Sequence, residues 1–141
     1  METLTVNGTL DSLKAIAQYV LTAATAAGLD KKASYKLRLA IDEIATNIII
    51  HGYEEAGCQG EIHLQAEIDD RALTISIEDT GVLYDYTTQS DPDNLDAPLA
   101  QRPIGGLGVF LAIQAVDKFM YERVGNRNRN IFIVYQTPVS C

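Results

Sequence analysis

The chain has 141 residues, 47% of them hydrophobic, which suits one domain with one buried core over residues 1–141. Its net charge of −8 argues against a nucleic-acid binder, which needs a basic face to displace counterions. The same acidity repels a free polyphosphate at long range, so a phosphate site here must be built locally from a metal, backbone N–H groups or a few placed cations. No run reaches the roughly 18–20 apolar residues of a membrane span. The opening METLTVNGTLDS lacks the basic start and apolar stretch of a secretory signal. Two cysteines, Cys58 and Cys141, make no disulfide framework, and a soluble cytoplasmic protein is expected.

Taken in chain order, a short strand is predicted from Leu4 to Leu10. A helix follows from Ser12 to Ala27, with Leu13, Ile16, Val20, Leu21 and Ala24 on one face. Gly28 suits the C-terminal end of that helix. Asp30 suits the cap of the next one, which runs to about Tyr53. EIHLQAEI alternates inward Ile62, Leu64, Ala66 and Ile68. After the turn DDR, ALTISIED alternates Leu73, Ile75 and Ile77, so the two segments form an antiparallel hairpin. Residues Val82 to Pro103 make a polar, proline-bearing stretch too long for an ordinary connection. GGLGVFLAIQAVDK opens a third helix. Strands near Phe119–Val124 and Ile131–Gln136, joined by the turn GNRNRN, close the chain. The expected fold class is α+β: a two-layer sandwich, its mostly antiparallel mixed sheet covered on one face by about three helices.

Three places interrupt this apolar pattern. Leu37, Ile41, Ile44 and Ile48 form the core stripe of the second helix. Glu43 and Asn47, one turn apart, share a face about 100° round from that stripe. Such a face borders the core and is either a pocket wall or simply wet. On the strand ending in EDTG, the period of two carries the inward row Leu73, Ile75, Ile77 on to Asp79. A buried carboxylate needs donors, and one held for a planar amine would read a purine. Gly81 follows, where close backbone approach is available. An Asp that merely caps a turn is the plainer reading. The DTG tripeptide also occurs in aspartic proteases, but those need two such lobes and only one is present. Gly105, Gly106 and Gly108 stand at a helix start, where backbone amides and the helix dipole can face an anion, or where the chain can simply hinge. No Lys-Ser/Thr follows them and no strand runs straight into them, so they are neither a Walker loop nor a dinucleotide fingerprint.

The order E-x-x-x-N helix, strand ending D-x-G, long loop, G-G-x-G helix start resembles the GHKL ATP-binding superfamily, the histidine kinase-like ATPase domain. Within it, LAIDEIATNIIIHGYEEAG, ISIEDTGVLYDY, DPDNLDAPLAQRPIGGLGVFLAIQAVDKFMYER and the closing NRNIFIVYQ are similar to the small anti-sigma-factor serine/threonine kinases of bacteria. The resemblance implies ATP and Mg²⁺ as cofactors. Asn47 would hold the metal, Glu43 would be the general base, and Asp79 would accept the adenine amino group, with Gly81 giving the base room. Gly105, Gly106, Leu107 and Gly108 would hold phosphates through backbone amides. Residues from about Tyr84 to Pro103 would form the ATP lid, from which Arg102 would add a cation near the γ-phosphate. His51 would be structural.

The same resemblance implies an enzyme that phosphorylates a STAS-domain antagonist, binds a sigma factor by partner switching, and forms a homodimer. A non-catalytic module that binds partners according to its nucleotide is the alternative. A detached sensor histidine kinase would need a phospho-acceptor helix upstream of the second helix. The chain departs from the family pattern twice. No second glycine closely follows Gly81, and GNRNRN replaces the usual Gly-Thr between the last strands, which weakens any role for Asn128 or Arg129 near the base.

Overall fold

A computed structural model describes residues 1–85 and 106–136. Strands β1 (Leu4–Asn7), β2 (Glu61–Ile68), β3 (Ala72–Asp79), β4 (Lys118–Val124) and β5 (Arg127–Tyr135) form a sheet of order β1-β2-β3-β5-β4. Every pairing is antiparallel among the described strands. Helices α1 (Leu13–Ala26), α2 (Lys31–Asn47) and α3 (Gly106–Gln114) supply the second layer. The core is the inward row of each strand pressed on the helical stripes. Ile62, Leu64, Leu73, Ile75, Ile77 and Phe132 are fully buried, as are Ile16, Val20, Leu37, Ile41 and Ile44. Removing each such side chain from water stabilises the fold by about 1.5–3 kcal/mol. The outward rows of β2 and β3 are polar, as one-sided cover of an antiparallel sheet requires. No helix among the described residues is long and apolar enough to cross a membrane.

Several boundaries differ from the expected ones. The first strand stops at Asn7, and a short 3-10 turn, Leu10–Ser12, leads into α1. Leu21 and Ile68 are exposed; Ala23 takes the inward place on α1 beside Val20 and Ala24. The last hairpin turns on Gly125 and Asn126 alone, because Val124 already pairs with Arg127. Gly125 has φ of 61°, the sign that the first central position of a type II′ turn needs. GNRNRN is therefore mostly strand, and Asn128 and Asn130 point into the core, buried.

Asp30 caps α2 as its position predicts, its Oδ1 accepting from the Ala33 amide at 2.7 Å. Past Asn47 the helix widens into a π-helical turn, Ile48–Glu54, in which the Glu55 amide donates to the Ile50 carbonyl at 2.8 Å. Such turns often sit at functional places. Here it carries the Gly52 carbonyl to the tip of β3, where it accepts from the Val82 amide at 3.2 Å. A Cβ on Gly81 would lie 2.8 Å from that oxygen, so only glycine lets the two backbones meet. Tyr53, at the end of the same turn, is buried. Its hydroxyl donates to the Glu61 carbonyl and accepts from the Thr80 amide, both at 2.8 Å. The turn after α2 is thereby fastened to the start of β2 and the end of β3.

Candidate functional site

Asp79 ends the inward row of β3 and is 2% exposed. Its Oδ1 accepts from the Gly81 amide at 2.9 Å and from Asn128 Nδ2 at 3.0 Å. Its Oδ2 is buried with no hydrogen-bond partner among the described residues. Burial pushes the carboxyl pKa up; the hydrogen bonds from Asn128 and Gly81 and the charge of Arg123 partly oppose this. A carboxylate half held and half orphaned is an acceptor prepared for a donor from outside, because leaving it unmet is costly.

The holder of Asp79 is Asn128, the residue cross-strand from it. Its Nδ2 also donates to the Gly81 and Val82 carbonyls at 3.3 and 3.1 Å. Its Oδ1 accepts from the Tyr121 hydroxyl and from Arg123 Nη1. The network runs from edge strand β4 through β5 to the tip of β3, and it builds the turn that lacks a second glycine. Asn128→Ala is expected to destabilise the protein by about 3 kcal/mol, since several buried groups lose partners at once. The melting temperature should fall by about 6–12 °C. Loss of this donor raises the Asp79 pKa further. The destabilisation should therefore be largest at neutral pH and shrink as pH falls and Asp79 takes a proton, which thermal melts across pH would read.

Asp79 opens on a small cavity of about 60 Å³, lined also by Ile48, His51, Gly52, Val82 and Asn130. Asn130 is fully buried, and neither its Nδ2 nor its Oδ1 has a partner among the described residues. One wall thus offers an acceptor on Asp79 beside a donor and an acceptor on Asn130. That set matches the edge of an aminopurine, whose exocyclic amine donates and whose neighbouring ring nitrogen accepts. His51 sits on the rim, its Nδ1 2.7 Å from Glu55 Oε2, one turn on.

The second cluster lies one residue earlier along the helix. Asn47 is buried, and its Nδ2 donates to the Glu43 carbonyl at 2.8 Å and to Glu43 Oε1 at 3.3 Å. Oδ1 is the amide atom left for a ligand. A hard neutral oxygen of this kind suits Mg²⁺, which keeps waters and substrate phosphates as its other ligands. Among the described residues no group of three or more His, Cys, Asp or Glu could hold a metal unaided. The residues present fit a cation brought with a polyphosphate. Gly108, in the first turn of α3, lies on the Glu43 carboxylate: a Cβ there would fall 2.8 Å from its Cδ.

The structure therefore gathers the sequence-predicted residues into two neighbouring groups, Asp79 with Gly81 and Glu43 with Asn47 and Gly108. Asn47 is followed directly by Ile48, which lines the Asp79 cavity. Gly106 and Leu107 begin α3. Arg102, Gly105 and the part of the expected lid after residue 85 lie outside the described residues, as does Cys141; Cys58 is exposed. Arg129 points away from the cavity, binding Glu78 Oε1 at 2.6 Å on the outer face of the sheet. The sequence pattern argued against a role for Asn128, whose Nδ2 nevertheless holds Asp79 at 3.0 Å, and it gave no sign of Asn130. The available signal was the period of two, which runs from Val134 and Phe132 back through Asn130 to Asn128.

The model of the histidine kinase-like ATPase domain matches residues 6–133. The chain is 31% identical over 84 residues to the serine-protein kinase RsbW of Bacillus cereus, of Bacillus anthracis and of Bacillus thuringiensis. In each case the match covers 57% of this chain and 51% of the relative. With an antiparallel sheet covered on one face by helices and a family model spanning nearly its whole length, the chain belongs to the histidine kinase-like ATPase domain family.

Proposed function

We propose that this protein is a Mg·ATP-dependent serine/threonine kinase and anti-sigma factor. It would phosphorylate a STAS-domain antagonist and thereby decide whether it keeps a sigma factor. The observation that carries the nucleotide part is the orphaned Asp79 Oδ2 in a cavity shared with the unpartnered Asn130 amide. The likeness to serine-protein kinases named RsbW supports the transfer part.

In this reading Asp79 accepts from the adenine amino group, Gly81 leaves space for the ring, and Asn130 donates to the adjoining ring nitrogen. Asn47 Oδ1 would hold the Mg²⁺ that comes with the nucleotide, and the amides at the start of α3, from Gly105 and Gly106 through Leu107 to Gly108, hold the triphosphate end, with Arg102 as an added cation. Mg²⁺, when bound, neutralises phosphate charge, which an acidic protein cannot do with side chains alone. Glu43 takes the proton of the Ser or Thr hydroxyl as its oxygen bonds to the γ-phosphorus. The bond from that phosphorus to the bridging β–γ oxygen breaks, and ADP leaves with the electron pair.

Calorimetry with ADP and GDP, each with and without Mg²⁺, tests the nucleotide site; Mg²⁺-dependent binding that prefers ADP is expected. Labelled ATP with a recombinant STAS-domain protein tests transfer. A complex that forms only with nucleotide, yet gains no label, would mark the protein as a binding module instead.

A further inference from the structure

Between α2 and α3 runs an open groove of about 360 Å³. It is distinct from the Asp79 cavity and ends on Glu43 and Gly108. Its sides are apolar. Leu39 is 45% exposed and Leu111 56% exposed, with Ala112 on the floor. Two large apolar side chains left in water on facing helices mark a surface that something covers.

Helical spacing orders the groove. Leu39 lies one turn, about 6 Å, from Glu43, and Lys36 lies about 10 Å from it along the same helix. Lys36 is the basic side chain lining the groove, in a chain of net charge −8. It therefore singles out one end for an acidic group. Asp42 lies beside Glu43 at the other end and disfavours an acid there.

We propose that this groove seats the acceptor segment of the protein substrate. The segment would be a polypeptide stretch whose Ser or Thr hydroxyl rests on Glu43. An apolar side chain about 6 Å away would sit between Leu39 and Leu111, and an acidic group about 10 Å away would face Lys36. The inference rests on the kinase reading, because only a phosphate acceptor has reason to bring a hydroxyl to Glu43. It adds the place and the chemistry of docking. The occupant is a protein and not a small alcohol, since a small alcohol would leave the two leucines in water.

The test is the initial rate of transfer from saturating Mg·ATP to a recombinant STAS-domain protein at varied concentration. Leu39→Asp and Leu111→Asp are each expected to raise KM for that protein about tenfold or more. Affinity for Mg·ADP, read by calorimetry, should stay at the parental value. Lys36→Glu should raise the same KM and weaken its dependence on salt. Leu10→Asp and Met120→Asp, at exposed apolar positions elsewhere, should leave it unchanged. Leu39→Asn and Leu111→Asn replace any Asp variant whose melting temperature falls.

Parental KM in both groove variants would overturn the docking site while leaving the kinase standing. So would a larger rise from Met120→Asp than from the groove variants, or a matching loss of ADP affinity. If the parent protein labels no STAS protein, the kinase reading fails and this inference fails with it.

Discussion

Glu43→Gln is expected to slow phosphoryl transfer by about 10²–10⁴-fold, the usual worth of a positioned proton acceptor, and to leave Mg·ADP binding almost untouched. The structure supplies the reason for the split. The shorter hydrogen bond from Asn47 Nδ2 goes to the Glu43 backbone carbonyl at 2.8 Å, which the substitution does not touch. A Gln side chain has the same length, fills the same contact with Gly108, and retains an oxygen for the weaker bond at 3.3 Å. Asn47 therefore keeps its place, and only the ability to take a proton is lost. The loss should fall on the single-turnover rate and not on nucleotide affinity. Transfer at the parental rate would remove the base role from Glu43. An equal loss of ADP affinity would make the residue a structural part of the phosphate site.

Asp79→Asn should move stability and binding in opposite directions. Asn retains an oxygen for the Gly81 amide and Asn128 Nδ2, and exchanges the orphaned oxygen for an NH₂ group. Burial holds the Asp79 pKa in the folded protein above its ordinary value. The folded state therefore binds the proton more tightly than the unfolded chain, and the carboxylate costs stability once pH rises through both values. Removing that charge should raise stability near pH 7 by about 1 kcal/mol, or about 2–4 °C in melting temperature. The gain should fade as pH falls and Asp79 itself becomes neutral. Adenine nucleotides should bind about 10–100-fold more weakly, because an NH₂ would meet an amine. Guanine nucleotides should lose less. Equal losses for the two bases, or parental ADP affinity, would end the role of Asp79 as a base reader.

The two residues carrying these predictions were legible in the chain because each interrupts a local period. Asp79 falls where the alternation of Leu73, Ile75 and Ile77 demands an apolar residue. Glu43 and Asn47 fall one turn apart beside the stripe of Leu37, Ile41, Ile44 and Ile48, all buried in the fold. Asn128 and Asn130 were hidden by their company. Gly, Asn and Arg in succession look like a turn, and the turn itself proved to be Gly125 and Asn126 only. Antiparallel pairing places Asn128 opposite Asp79, 49 residues earlier in the chain, and no local rule spans that separation. Gly108 has a similar history. Its neighbours suggested a phosphate-facing amide, whereas its contact with Glu43 depends on how α3 lies against α2.

By itself the sequence determined the kinds of element and which face of each turns inward. Helical and strand periods are short-range properties, and burial of apolar surface rewards them wherever the element ends up. Tertiary structure alone decided the widened turn at Ile48–Glu54, the meeting of Gly52 with Gly81, and the hold of Asn128 on Asp79. Those features satisfy or orphan particular polar atoms, and a polar atom's partner is settled only when distant segments are packed together.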